Sequence, residues 1–378
     1  MKVLVLLAAP FPSHQGSQLL VDGWCRALVS SGHAVRLLSY PAPGDVPTGV
    51  VDRRGTRRWG AVSLRSGPQP GKLIEDAALG LRLRKELRAD PPDVIHAHHV
   101  EALALALAAR AQLGVGVPVV WVPHTALGEE LPTYLPVHSG LNLSGRAGDA
   151  LDAALAPRAD ACVALSGPGA RWLTGLGAKR VVRVPPPVDV SEVLGGDAGA
   201  ARERWGLGAG DWVLYTGNAD GYQELPLLFD AMARLPEVGL LVHSGEGPRR
   251  FRSLARRAGL PVTRLRVVGD GLPGLRDALA VSRCAVVPRR RCAGFPMKLL
   301  NSLAAGRVTL CDPAIAPPLE GVVPVPMADP DAVAGALAGL LADPEMCGRL
   351  GDAGARAVRA AHGQPALKRA LKRLHDAL

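Results

Sequence analysis

Residues 284–311 read CAVVPRRRCAGFPMKLLNSLAAGRVTLC. Cys284 to Val287 is a short apolar run, Arg307 to Cys311 is another, and the stretch between them has the period of a helix. Gly294 permits a tight turn, Pro296 suits the first helical position and Gly306 suits the end. Strand, loop, helix and strand in this order form the repeating unit of a parallel sheet. The helix carries Lys298 in its first turn, where an acid is the ordinary choice, and Asn301 about one turn further on. A cation there makes sense beside a bound phosphate, which a helix N-terminus itself attracts. The plainer alternative is an amphipathic helix with one solvated lysine.

The same alternation extends in both directions. Upstream, apolar runs at Trp212 to Thr216, Gly239 to His243 and Leu265 to Val268 read as strands. Before them come Lys2 to Leu7, Val35 to Ser39, Val94 to His96, Pro118 to Val122, Ala159 to Leu165 and Arg180 to Val184. Helical patterns fall at Gln18 to Ser30, Leu73 to Arg88 and Glu101 to Gln112, and Pro41 to Pro70 reads as irregular. Downstream of Asp329 the chain is helical: Asp331 to Leu341, Pro344 to Ala361 and Gln364 to Leu378. The expected class is α/β, with two Rossmann-like, doubly wound parallel sheets. Pro185-Pro186-Pro187 is the expected linker. It divides the chain into 1–187 and 188–378, with C-terminal helices packing back and the last helix crossing to the first domain. Two such domains imply a central cleft, with ligands at the carboxyl ends of the strands.

Composition narrows the class. The chain has 378 residues, 48% hydrophobic and 21% charged, with a formal charge of +10. That excludes a largely disordered chain, and no apolar run is long enough for a membrane-spanning helix. MKVLVLLAAPFPSHQ reads as a buried first strand rather than a signal peptide. The six cysteines show no CxxC pair, which suggests reduced thiols in a cytoplasmic protein. No Cys/His cluster has zinc spacing. Aromatic residues are only 4% and do not interleave with the basic runs, against nucleic-acid binding.

Four loops are placed to carry chemistry. PFPSHQGSQ (10–18) puts Gly16 at a strand-to-helix turn, where backbone amides can approach an anion, with His14 beside it. It is not the GxGxxG dinucleotide fingerprint. HAHHVE (96–101) offers His98 for a polar sugar-binding or structural role rather than a metal. In WVPHTALGEELPTY (121–134), His124 ends a strand and is an acid/base or hydroxyl-binding candidate, with Glu129 and Glu130 on the acceptor side. The fourth loop is the opening stretch, with Arg291, Gly294, Phe295, Pro296, Lys298 and Asn301.

With these segments assembled, the sequence resembles the retaining GT-B glycosyltransferases of family 4 (glycosyl transferases group 1), as a divergent subgroup. The segments that carry the likeness are PFPSHQGSQ, DVIHAHHVEA, ADACVALSGPGARWL, VPPPVDV, GFPMKLLNSLAAGR and the C-terminal ADPDAVAGALAGLLADPEMCGRLGDAGARAV. The likeness implies a nucleotide diphosphate sugar as donor on the second domain, an acceptor on the first, and no bound cofactor or metal. It also implies retention of configuration, with the acceptor attacking the face the diphosphate leaves. Gly16, Gly217, Asn218, Arg291, Gly294, Phe295, Pro296 and Asn301 would bind the donor. His124 and Lys298 would serve the reacting centre, and His14, His98, Glu129 and Glu130 would lie toward the acceptor.

The departures are specific. Two Glu residues of the family pattern are replaced by Ala293 and Asn301, and the loop after Thr216 lacks the usual Arg and Lys. Lys298, or one of Arg289, Arg290 and Arg291, would supply the missing charge. The rival readings are an inactive GT-B protein that binds a sugar nucleotide or a partner enzyme, and an epimerase or phosphorylase on the same fold. The basic runs Arg249 to Arg257 and Lys368 to Arg373 leave open a peripheral contact with the inner face of the membrane and a lipid-linked or glycan acceptor. Simple solvated helix faces are their ordinary explanation.

Overall fold

The computed structural model describes residues 1–12, 16–41, 52–55, 67, 69–134, 142–291 and 294–378. It divides into two compact units. Unit 1 is Met1–Pro187 with Ala293–Phe295 and Gln364–Leu378; unit 2 is Val188–Cys292 with Pro296–Gly363.

Unit 1 is built on a parallel sheet. In chain order its elements are β1 (Lys2–Phe11), α1 (Gly16–Val29), β2 (Ala34–Pro41), β3 (Asp52–Gly55), α2 (Pro70–Ala89), β4 (Val94–His98), α3 (Val100–Leu113), β5 (Val119–Val122), α4 (Leu127–Tyr134), α5 (Leu143–Leu155), β6 (Ala161–Ala164), α6 (Gly167–Gly175) and β7 (Val181–Arg183). The strand order is β3-β2-β1-β4-β5-β6-β7. The apolar run of β1 is continuous because both faces are covered. Val3, Val5, Leu7 and Phe11 pack toward α1, whereas Leu4, Leu6 and Ala8 pack with Leu79, Leu83 and Leu87 of α2 and Leu103 of α3.

Unit 2 follows with α7 (Val190–Val193), α8 (Ala198–Trp205), β8 (Trp212–Thr216), α9 (Leu225–Ala233), β9 (Gly239–His243), α10 (Arg249–Ala258), β10 (Leu265–Val268), α11 (Gly271–Val281), β11 (Cys284–Val287), α12 (Met297–Ala304), β12 (Val308–Cys311), β13 (Val322–Pro324), α13 (Pro330–Ala342) and α14 (Pro344–His362). Its parallel sheet runs β10-β9-β8-β11-β12-β13. Val213 and Tyr215 pack with Leu228, Phe229 and Met232 of α9 and with Val333 and Leu337 of α13. The last helix, α15 (Gln364–Asp376), belongs to unit 1, where Leu367, Leu371 and Leu374 complete the α1 side of the core.

Several elements differ from the sequence reading. β1 runs on to Phe11 and β4 two residues past His96 to His98, which is buried in the strand rather than in the loop. Residues 127–134, part of the third loop, and residues 143–155 form α4 and α5. Their glycines are a close crossing rather than breaks: a Cβ on Gly148 would lie 2.6 Å from the Gly128 nitrogen. Pro296 caps α12 instead of occupying its first turn, and β13 adds an edge strand. Cys25, Cys162, Cys284, Cys311 and Cys347 are buried free thiols. Burial pushes Cys162 and Cys311 up to about 12, so they are inert packing groups.

Candidate functional site

In unit 2 the parallel register pairs Thr216 of β8 with His243 of β9, so the loops after both strands leave the same carboxyl edge. The β8 loop turns at Gly217, with φ of +128°, a conformation that favours glycine. Lys298, in the first turn of α12, lies over the ring of Tyr215 at 4.8 Å. A Cβ on Gly217 would come within 2.6 Å of Lys298 Nζ. The missing side chain at 217 is therefore what lets the ammonium lie against the turn. The sequence lacks a cation in this loop, and the structure brings one there from α12.

Hydrogen bonds fix the loops around this lysine. The Tyr215 hydroxyl donates to the Asn218 carbonyl at 2.6 Å, and Ser244 Oγ donates to Asn218 Oδ1 at 3.2 Å. The Glu246 amide donates to Ser244 Oγ at 3.0 Å, and the Ala219 amide donates to Glu246 Oε2 at 3.1 Å. Burial holds the Tyr215 phenol well above its ordinary value, so it stays a neutral donor. The Asn301 amide is half-buried on α12, with no hydrogen-bond partner among the described residues. The three arginines after β11 are less available than the sequence suggests. The Arg289 guanidinium stacks on Tyr222 at 4.7 Å and donates to the Arg291 carbonyl at 2.5 Å. Arg290 pairs with Glu224 at 2.6 Å, and the Arg291 side chain is exposed.

Unit 1 holds a different constellation, six imidazoles and an indole. His96 and His98 share one face of β4, and Trp24 of α1 meets both edge-on at 5.7 and 5.5 Å. Trp24 Nε1 donates to His96 Nδ1 at 2.9 Å. An indole can only donate, so His96 carries its proton on Nε2, which lies 3.2 Å from His375 Nε2. His33 packs edge-on against His375. On the other side, His98 Nδ1 is 3.0 Å from His124 Nε2, and His99 stacks on His124 at 4.3 Å. His99 adopts φ of +75°, a costly backbone state for a bulky side chain, and it holds the stack. Burial, ahead of the neighbouring rings, pushes His96, His98 and His124 well below the ordinary imidazole value, and burial followed by the Lys72 ammonium pushes His99 to about 3. A neutral His124 is a poor proton donor at neutral pH in general-acid catalysis. It is well suited to hydrogen-bond a hydroxyl.

The remaining candidates of unit 1 are placed as follows. Gly16 is the exposed first residue of α1. Gly294 is buried, and a Cβ there would overlap the His124 carbonyl oxygen. Phe295 packs on the β1–α1 core. Glu130 is held by the Thr125 hydroxyl and by the Tyr134 hydroxyl at 3.3 Å, so it braces the turn after β5. Glu129 is exposed, whereas His98 has no exposed surface and touches His124 instead. His14 and Ala293 lie outside the described residues. Among the described residues, no group of three His, Cys, Asp or Glu side chains is disposed to hold a metal ion. The reading by sequence passed over Trp24, Tyr215, Ser244 and Glu246. The SGEGP run directly after β9, at the same sheet edge as Gly217, is the signal that marks the last two.

Two parallel-sheet, Rossmann-like units, with a lysine-bearing helix entering the strand ends of the second, define a GT-B glycosyltransferase fold. Residues 15–192 match the family described as glycosyltransferase family 4, and residues 210–343 match glycosyl transferases group 1. The chain belongs to this glycosyltransferase family. Its fold is similar to that of a sucrose-phosphate synthase from Thermosynechococcus elongatus, with TM-score 0.83, 19% identity, and 100% and 98% of the two chains covered. Anabaena HepE, solved in complex with UDP, matches with TM-score 0.74 and 13% identity over 100% of both chains. WaaG, a glycosyltransferase involved in lipopolysaccharide biosynthesis, matches with TM-score 0.68 and 14% identity over 98% and 99%. No curated protein matches the sequence. No helix among the described residues is long and apolar enough to cross a membrane.

Proposed function

We propose that the protein transfers a sugar from a nucleotide diphosphate sugar to an acceptor hydroxyl, with retention of configuration and without a metal ion or other cofactor. The observation that carries this reading is Lys298, laid against the Gly217 turn at the end of β8. A fixed ammonium at a glycine turn, backed by the N-terminus of α12, suits a diphosphate. The same groups would stabilise the charge that grows on the diphosphate as the glycosidic bond breaks. The backbone of Gly217 and Asn218 would line that site, Asn301 would bond the ribose, and Arg291 would add charge.

Neutral His124 would orient a sugar hydroxyl, with His98 as a positioning residue behind it. Gly294, Phe295, Pro296 and Gly16 would shape the donor side. The acceptor oxygen would attack the face the diphosphate leaves and pass its proton to a phosphate oxygen. Glu129 and His14 would stand toward the acceptor, with Glu130 bracing the turn after β5. The protein would work in the cytoplasm, on a glycan or lipid-linked acceptor at the inner face of the membrane.

HepE is described with UDP and with UDP-glucose, so these are tested first. A thermal-shift screen of UDP, GDP, TDP, ADP and their sugar conjugates, with and without EDTA, reads donor binding by mass action. The expected result is a shift with one nucleotide family, indifferent to EDTA and reduced at least tenfold in affinity by Lys298→Ala. No shift with any nucleotide, in a protein that melts cooperatively, favours the inactive, partner-binding reading.

A further inference from the structure

α2 divides its charges by face. All three of its acids point inward or to the flank. Glu75 and Glu86 are buried, at 1% and 3% exposure. Glu86 meets Arg54 at 2.7 Å, Arg82 at 2.8 Å and Arg36 at 3.1 Å, and Asp76 accepts from the Tyr40 hydroxyl. Leu79, Leu83 and Leu87 fill the core on the same side.

The outward arc carries no acid. At helical spacing it presents Leu73, Ile74 and Leu81, exposed by 75%, 53% and 65%, followed by Arg84, Lys85 and Arg88. Leu81, Arg84, Lys85, Arg88 and Ala89 line one shallow depression. None of these three cations has an ion pair among the described residues.

The geometry points to α2 as a membrane-docking helix that lies on an anionic bilayer surface. It deepens the membrane-face part of the reading above and does not depend on the donor. Exposed aliphatics beside unpaired cations, with every acid turned away, match both the acyl boundary and the headgroup phosphates of such a surface. α10 is the informative contrast. Arg249, Arg250, Arg252, Arg256 and Arg257 are exposed, but that helix shows no large exposed aliphatic. It offers charge without insertion.

The test is flotation of the full chain with vesicles of phosphatidylcholine alone, and with phosphatidylglycerol added to about a third. Wild type should float with the anionic vesicles and not with the neutral ones. Arg84→Glu/Lys85→Glu/Arg88→Glu should lower partitioning by about a hundredfold. Leu73→Ser/Ile74→Ser/Leu81→Ser should lower it by tenfold or more while keeping the charge. Both variants should keep the wild-type melting temperature and nucleotide shift, which separates this inference from the donor reading. Arg249→Glu/Arg250→Glu/Arg252→Glu should float like wild type. Loss of binding in that variant, with α2 variants unaffected, overturns the role of α2 and leaves a membrane contact elsewhere. No flotation of wild type overturns both. A wild-type dimer in light scattering that the leucine variant disperses overturns it in favour of a second copy on this face.

Discussion

Acidification should destabilise unit 1 through its buried imidazoles. His96, His98, His99 and His124 are held neutral by burial, whereas the same residues in the unfolded chain titrate near their ordinary value of about 6.5. A histidine with a lowered folded pKa costs nothing well above 6.5. Below it, the unfolded state binds protons that the fold refuses, so stability falls with pH. Between about pH 7.5 and 5.5 each neutral imidazole forfeits about 1.4 kcal/mol, or about 5 kcal/mol for the four. Asp152 works in the opposite sense. Burial lifts its carboxyl to about 7, so the fold gains a proton there as pH falls, returning about 2 kcal/mol.

The net loss is about 3 kcal/mol, a large share of an ordinary domain's stability. For a unit of this size it amounts to a fall in Tm of about 6–12 °C. Calorimetry at about pH 7.5, 6.5 and 5.5 gives the transition, and hydrogen exchange by mass spectrometry assigns it to unit 1. His124→Gln should remove about one proton from the slope. A transition of unit 1 that is flat or rises on acidification would refute the reasoning, because it would mean that the cluster is charged or solvated in the fold.

Three further outcomes are expected. Gly217→Ala forces a side chain into φ of +128° and against Lys298 Nζ, so nucleotide affinity by calorimetric titration should fall tenfold or more, with Tm lowered by only a few degrees. Asp152→Asn keeps the acceptor for the Leu127 amide, which Asp152 Oδ2 binds at 2.8 Å, and removes the buried charge. It should therefore raise stability at both pH values, by about 2 kcal/mol more near pH 8.5 than near pH 5.5, as read from denaturant melts. Leu374→Ala, in a fully buried position of α15, should cost unit 1 about 2–5 kcal/mol in chemical denaturation.

The strands of unit 2 were readable to the residue at Trp212–Thr216, Gly239–His243, Leu265–Val268 and Cys284–Val287. Each is a short, mainly apolar run bounded by loop residues, and such a run has few other uses. Polar residues hid more. The strand reading stops at His96 because His98 and His99 beyond it are polar, and nothing local announces that Trp24 covers His96 and His98. Nothing local announces the close crossing of α4 and α5 at Gly128 and Gly148 either. Around Lys298 the residue types were visible, and so was the want of a cation after Thr216. Their juxtaposition was not, because it depends on how the β8 and β11 connections converge at one sheet edge, a property of strand order rather than of local pattern.

The placement of α15 gives the chain an awkward schedule during synthesis. Leu367, Leu371 and Leu374 belong to the core laid down by β1 and α1, so the side of unit 1 begun first on the ribosome is closed last. At ordinary elongation rates, making the residues between Pro187 and Gln364 takes about 10–40 s, during which unit 2 can be completed. Over that interval Leu20, Val21 and Leu28 of α1 wait without their partners. A nascent chain in this state has a greasy flank and a strong claim on chaperones. A gene fragment cut after Pro187 would keep that flank permanently, which predicts insoluble expression for the half-protein and rescue when residues 364–378 are supplied as a separate peptide.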